Sequence, residues 1–327
     1  MIAMRRLGSG RVRSMAEPSS SVAAIVVVNF GSSALLEQHL ARVEVPAGSF
    51  IVTVDCFSDL AERTRVARSC ADHGWVPVLL DENVGFGAGV NAGADAAIRR
   101  GANVIVTLNP DAWIGASNLQ ALIDAAREKP RALVSPHIVT GEGRPWFSGA
   151  DLYMDDGSTA GRARRGEHEG RPYREWATGA CFAISTEMWK EVGGFDDDYF
   201  LYWEDIDLSH RVLDAGGTLE LLDVEAVHDE GQTHADAAAG RAKSPTYYYY
   251  NIRNRLLYAA KHLDDEALAR WVKSAGKVSY RILLQGGRAQ LVRSTQPWRA
   301  YSRGLRDGKR MVRDRRAPGL SDDRRIR

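Results

Sequence analysis

Nowhere in the 327 residues does an apolar run approach the ~20 that a bilayer span needs. The longest near the start, Ala23–Val28, is short even for a secretory core. The arginine-bearing stretch Met1–Ser21 has no apolar segment after it and reads as a disordered, non-secretory leader. Cysteine is scarce: Cys56, Cys70 and Cys181 are odd in number, widely spaced and free of any CxxC pattern. That speaks for reduced thiols in a cytosolic compartment and against a disulfide framework or a zinc cluster. Also missing are the G-x-x-x-x-G-K-[ST] phosphate loop and the G-x-S-x-G nucleophile elbow. What is present, 44% hydrophobic and 26% charged residues, is the balance of a folded chain with a sizeable core.

The net charge of +1 joins two unequal parts. From Arg281 to the end there are 14 Lys and Arg against 4 Asp and Glu, which leaves 29 and 38 of the chain's 43 and 42 for the first 280 residues. An acidic body carries a basic tail. Such a tail is either a solvated end or a surface that meets anionic lipid head groups. The acidic body argues against nucleic acid as its partner.

The first half alternates apolar β-branched runs with amphipathic stretches. Strands are expected at Val22–Asn29, Phe50–Asp55, Val76–Leu80, Val104–Leu108 and Ala132–Ser135, with helices at Ser33–Val43, Leu60–Asp72, Gly87–Arg100 and Leu119–Lys129. Continuous apolar strands alternating with helices predict a mostly parallel sheet covered on both faces. Between Thr140 and Glu175 the pattern breaks into Gly, Asp and Arg, read as a long mobile loop with one hairpin at most. A strand Ala180–Ser185, helices Thr186–Val192 and Glu204–Ala215, and short strands Thr218–Leu222 and Glu225–Val227 follow. From Thr246 onward only helices are expected, at Tyr247–Leu263, Glu266–Leu284 and Trp298–Arg313.

In an open parallel sheet, ligands sit beyond the carboxyl ends of the strands. Four expected strands end there in polar residues: Asn29, Asp55, Asp81-Glu82-Asn83 and Asn109-Pro110-Asp111. Helix capping favours the same residue types, but the set together points to a nucleotide cleft. Asn83–Gly89 contains G-x-G-x-G, yet it follows the third strand rather than the first, against a dinucleotide fingerprint. Gly85 and its neighbours serve either close helix–sheet packing or a ligand. Pro110 fixes a turn behind a buried strand and presents Asp111 at the sheet edge, where a carboxylate can hold Mg²⁺ or Mn²⁺ on a diphosphate. In Gly193–Arg211, Glu204, Asp205 and Asp207 crowd the first turn of a helix. The helix dipole and an Asp207–Arg211 pair would explain them. A general base beside Tyr202 and Trp203, which can stack on a ligand ring, would explain them too. His228 is the candidate second metal ligand, with His234 a weaker one.

The ordered set IVVVNFGSSALLEQHL, VDCFSD, ENVGFGAGVNAG, LNPDAWI, ATGACFAISTEMWKEVGGFDDDYFLYWEDIDLSHRVLDAGG and VEAVHDEGQT resembles the family 2 glycosyltransferases of the GT-A fold, in particular bacterial rhamnosyltransferase-like and galactofuranosyltransferase-like members. It runs from about Val22 to Thr233, and TYYYYNIRNRLLYAAKHL is similar to the helices that follow the catalytic domain in such proteins. The resemblance implies Asp205 as catalytic base with Glu204 supporting it. It places Asp55 and Asn83 near base and ribose, Asp111 and His228 on the metal, and Gly179 and Ala180 on the acceptor side. Cys56 and Asn109 depart from the family's Asn and Asp, which leaves Asp111, His228 and the donor phosphates to hold the metal.

The expectation is therefore a leader (1–21), a GT-A catalytic domain (22–240) and a basic helical extension (241–327). The activity expected is inverting transfer from a dTDP- or UDP-sugar to a glycan or polyprenyl-linked glycan of the cell envelope, at the cytoplasmic face of a membrane. A non-catalytic nucleotide-sugar or glycan-binding protein on the same scaffold is the alternative. A nicotinamide oxidoreductase would need its glycine fingerprint on a first strand that instead ends in NFGSS.

Overall fold

The computed structural model describes residues 22–228 and 243–316. The expected leader, His234 and residues 317–327 lie outside them.

Strand β1 (Ala23–Asn29) sets the layering. Ala23, Ile25 and Val27 enter one core and Ala24, Val26 and Val28 the other, so every apolar side chain is used. Helix α1 (Ser33–Gln38) follows, closed by a 3-10 turn at Leu40–Arg42 in place of the single longer helix expected. Next come β2 (Phe50–Asp55), α2 (Leu60–His73), β3 (Val76–Leu79), α3 (Phe86–Arg99) and β4 (Val104–Leu108). Strands β3, β2, β1 and β4 lie side by side, all parallel, as their buried runs predict.

Then follow β5 (Ala112–Ile114), α4 (Ala116–Glu128), β6 (Ala132–Val139), β7 (Pro145–Phe147), β8 (Ala150–Tyr153), β9 (Thr159–Gly161), β10 (Tyr173–Trp176), β11 (Cys181–Ser185), α5 (Thr186–Val192), α6 (Glu204–Asp214) and β12 (Thr218–His228). The large sheet runs β3-β2-β1-β4-β11-β6-β12-β5, with β7 on β6. It is the mixed sheet, flanked by helices, of a GT-A fold. The sheet is mostly parallel, as expected, with β5, β7 and β11 reversed. β11 is antiparallel to both neighbours and β5 is antiparallel to β12. An apolar run records burial on both faces and says nothing of direction.

Two further differences have physical causes. Segment 140–175, read as a loop, holds β7, a 3-10 stretch at Arg162–His168 and a three-stranded antiparallel sheet β10-β8-β9. Its charged residues pair with one another: Arg165 grips the buried Asp151 at 2.8 and 2.6 Å, and Arg171 reaches Asp155 and Asp156. β6 also continues past Pro136, which lies opposite Leu222, where the register of β12 shifts before Glu225. A strand irregularity tolerates a residue without an N–H. The two short strands expected there are one.

Helix α7 (Pro245–His262) is capped by Ser244, and α8 (Asp265–Leu284) by Asp264. The short α9 (Arg288–Arg293) and α10 (Gln296–Arg316) complete the described residues. These helices share a core with the residues before them: Leu152, Tyr199, Trp203 and Ile206 pack with Leu256, Tyr258 and Trp271. The fully buried Arg255 donates to the carbonyls of Asp156 and Trp271 and to Ser274. Burial pulls its guanidinium down to about 10. The division expected near residue 240 is thus bridged by a continuous core. No helix among the described residues is long and apolar enough to cross a membrane.

The tightest helix–sheet approach is at Gly93 of α3, where a Cβ would lie 2.4 Å from Val26 and 2.8 Å from Val54 side-chain carbons. Gly93→Ala is expected to lower the unfolding free energy by about 1–3 kcal/mol, because overpacking outweighs the gain of up to ~1 kcal/mol in helix propensity. Urea denaturation, showing a lower midpoint at unchanged m-value, checks this.

Candidate active site

At the end of β4 the chain turns sharply. Asn109 N–H donates to Ala180 O at 2.9 Å, and Ala112 N–H donates back to Asn109 O at 3.0 Å. β5 begins at once and pairs with the last residues of β12, setting Ala112 opposite His228. This pairing brings the buried side chains of Asp111 and His228 together, Oδ1 to Nε2 at 3.1 Å, with Asn109 Nδ2 3.3 Å from the same nitrogen. Trp146 of β7 stacks on the imidazole at 4.7 Å. One carboxylate oxygen and one imidazole nitrogen suit Mg²⁺ or Mn²⁺ when phosphate oxygens complete the shell. Among the described residues no group of three His, Cys, Asp or Glu side chains is gathered to hold a metal alone.

Across Gly179 and Ala180 lies the start of α6. Its approach is strained: Tyr202 and Trp203 both take left-handed backbone conformations, φ 64° and 78°. Consecutive non-glycine residues there are held only by strong local constraint. Asn254 of α7 supplies it, its buried amide donating to Leu201 O at 2.9 Å and Tyr202 O at 2.7 Å. Phe86 N–H donates to Phe200 O at 3.0 Å. Beneath it Gly85 sits at φ 90°, where a Cβ would come within 2.2 Å of that oxygen. Asn91 clasps the preceding GGFD stretch, accepting from Phe195 N–H at 2.9 Å and donating to Phe195 O at 2.8 Å. Lys261 bridges Asp196 and Asp198.

The three carboxylates of this turn meet different fates. Asp207 is buried, but the hydrogen bond from His262 and the charge of Arg211 outweigh desolvation and hold it below its usual range. Glu204 is buried with Oε2 lacking a hydrogen bond. Desolvation, then the charge of Asp205, push it well above the carboxylate range. Asp205 is half-buried and accepts from Gly179 N–H at 3.1 Å and Ile206 N–H at 2.9 Å. Burial raises it to about 6 despite these donors. It is the partly accessible one of the three, poised to take a proton near neutrality.

The other expected site residues divide. Gly179 and Ala180 join the two halves of the site, one bonded to Asp205 and the other to Asn109. Asn83 is half-buried and accepts from Gly85 N–H at 3.0 Å. Asn29 and Asp55 stand at their strand ends, but both side chains are buried in a network with Glu62 and Arg63. They shape the loop Phe30–Ser33 from beneath instead of lining an open cleft. Trp203 is corrected outright: it is buried against Tyr258 and Trp271, so its faces are covered and cannot stack on an acceptor. Tyr202 is half-buried, edge-on to Tyr247. Sequence reading missed two residues, Trp146 and Asn254. The first sat in a presumed loop. The second lies in a segment noted for its likeness, with no role attached.

No family profile matches the chain. It is 30% identical over 203 residues to the N-acetylglucosaminyl-diphospho-decaprenol L-rhamnosyltransferase of Mycobacterium tuberculosis, covering 53% of this chain and 65% of that protein. It is 22% identical over 239 residues to the low-salt glycan biosynthesis hexosyltransferase Agl10 of Haloferax volcanii, covering 71% and 74%. Among solved structures it is similar to GalNAc-T7 with UDP, GalNAc and Mn²⁺, with TM-score 0.52, 16% identity, and 85% of this chain and 58% of that one covered. It is also similar to the mannosyltransferase PcManGT of Pyrobaculum calidifontis with GDP-Man and Mn²⁺, with TM-score 0.50, 14% identity, and 89% and 86% covered. These likenesses bear out the GT-A fold and the glycosyltransferase resemblance. The chain spans 65% of the length of the rhamnosyltransferase.

Because Asp205 is raised in the fold from 3.8 to about 6, its contribution to stability is full below the lower value and is lost as pH climbs through the higher one. Asp205→Asn removes that loss, so its melting temperature relative to the parent is expected to rise between pH 4 and pH 8. A constant difference across that range would contradict the assignment. Asn254→Ala leaves two buried carbonyls without their donor and is expected to destabilise by about 1–3 kcal/mol, read by thermal or chemical unfolding.

Proposed function

We propose that the protein is an inverting glycosyltransferase of cell-envelope polysaccharide synthesis, moving a sugar from a nucleoside diphosphate to a hydroxyl of a glycan or lipid-linked glycan. The observation that carries this reading is the half-buried Asp205, raised to about 6 and linked through Gly179 and Ala180 to the Asn109–Asp111 turn and His228. The mycobacterial relative, an N-acetylglucosaminyl-diphospho-decaprenol L-rhamnosyltransferase, supports a lipid-linked acceptor.

In this reading the acceptor hydroxyl lies against Asp205, with Gly179, Ala180 and the half-buried Tyr202 around it. Asp205 takes the hydroxyl proton while the acceptor oxygen bonds to the anomeric carbon. The bond from that carbon to the diphosphate breaks on the opposite side, its electron pair leaving with the phosphate, and the configuration inverts. The N–H groups of Gly179 and Ile206 hold the carboxylate in one orientation. Burial disfavours a competing charge on Glu204. Asp111 and His228, with Asn109 beside them, would hold Mg²⁺ or Mn²⁺, which when bound supplies positive charge to the leaving diphosphate. Asn83 and Gly85 border the nucleotide, a dTDP or UDP, over the floor built by Asn29 and Asp55. We place the reaction at the cytoplasmic face of a membrane, in keeping with the free thiols of Cys56, Cys70 and Cys181.

The purified protein, mixed with dTDP- and UDP-sugars, Mn²⁺ and a lipid-linked acceptor, is expected to release free diphosphate. Asp205→Asn should lower kcat by about 10²–10⁴-fold with nucleotide affinity nearly unchanged. Retention of more than about a tenth of the turnover would remove Asp205 from the role. The parent's kcat/KM should rise with pH through about 6, because the base must be ionised. His228→Ala should weaken Mn²⁺-dependent nucleotide binding, measured by calorimetry. Nucleotide-sugar binding without any diphosphate release would favour the non-catalytic alternative.

A further inference from the structure

The last helices carry a surface that the transfer chemistry does not use. From Ala267 to Arg306 there are nine Lys and Arg and not one Asp or Glu. Arg270, Arg281 and Arg306 find carboxylate partners in Glu266, Asp156 and Asp307. Lys273, Lys277, Arg288, Arg293, Arg299 and Arg303 are exposed, and no ion pair holds any of them among the described residues. A surface selected only for solvation mixes both signs; this one does not.

Apolar groups sit among these cations. Val292 is 89% exposed, Tyr280 43% and Trp298 40%. Tyr280 and Trp298 stack at 6.1 Å, and Trp298 Nε1–H donates to Leu291 O at 3.0 Å, so the end of α8, the whole of α9 and the start of α10 form one patch. No residue of helix α9 is fully buried, and only Gln290 and Leu291 are half-buried. Beside it a shallow groove is lined by Thr295, Trp298, Arg299, Ser302 and Arg303.

We propose that this patch seats the protein on an anionic lipid bilayer. Trp298 and Tyr280 are the aromatic types that settle at the boundary between head groups and hydrocarbon. Val292 adds an apolar side chain facing outward, and the surrounding arginines meet lipid phosphates, the pairing used by peripheral amphipathic helices. The charge complementarity and the aromatic anchors together favour a lipid surface over an acidic protein. The inference does not rest on the transfer reading, since binding needs no donor, acceptor or metal, and either can fail alone.

The test is co-sedimentation of the full chain with vesicles of phosphatidylcholine, with and without phosphatidylglycerol, at ~0.1 M salt. The parent is expected to partition at least about tenfold more strongly onto the anionic vesicles. The triple variant Arg288→Glu, Arg293→Glu, Arg299→Glu should lose about a hundredfold. Val292→Ser with Trp298→Ser should leave only a weak, salt-labile attachment. All five positions are exposed, so an unchanged unfolding midpoint verifies that the variants are folded. Equal binding of the parent to both vesicle types, or variants that bind as the parent does, would overturn the proposal. So would parent self-association that the Val292/Trp298 variant abolishes in the absence of lipid binding.

Discussion

Three carboxylates on one buried helical turn cannot all be ionised at once, and the arrangement around α6 follows from that constraint. Arg211 pairs with Asp207 and His262 hydrogen-bonds it, which lets the helix bury its inner face. Glu204 finds no cation, and burial disfavours its charged form. Asp205 is left with two backbone donors and partial access to solvent, a setting in which it can change charge near neutral pH. The division of labour depends on how the helix is entered. Without the left-handed step at Tyr202 and Trp203, the same three acids would point elsewhere, and that step stands only because Asn254 holds the carbonyl of Tyr202 and the one before it.

A second long-range device serves the other half of the site. A single three-residue pairing, β5 with the end of β12, carries His228 to Asp111 from a distant part of the chain. Strand pairing fixes the spacing of two side chains more rigidly than a loop can. The stacked Trp146 then limits how far the imidazole can turn. The two devices meet at Gly179 and Ala180, where a main-chain segment too small to intrude links the proposed base to the proposed metal pair.

Much of this was legible from residue order. The buried runs at Ala23–Asn29, Phe50–Asp55 and Val104–Leu108 read as strands because nothing but two-sided burial sustains them. The acids at 111 and 205 and the imidazole at 228 were marked out by an ordered set of motifs. The rest failed for identifiable reasons. The direction of β11 leaves no trace in its composition. Asp151 and Arg165 look like loop residues until they are seen to satisfy one another. Trp203 beside an acid reads alike whether it faces a sugar or a core. The amide of Asn254 donates to two main-chain oxygens, a pairing that no side-chain spacing can encode. Asn29 and Asp55 were located correctly at their strand ends, but Arg63 and Glu62, which occupy them, lie on a helix whose pattern hinted only at amphipathicity.

The reach of Asn254 also bears on how the protein comes into being. A chain emerging from the ribosome contains all of β12 before any residue of α7. At that moment the turn before α6 has no external clamp, and Trp203 has neither Tyr258 nor Trp271 to cover it. The aim of the proposed base is thus set by an element made after the sheet strands. The acids of α6 are sorted by charge only with α7 in place, because His262 and Asn254 both belong to it.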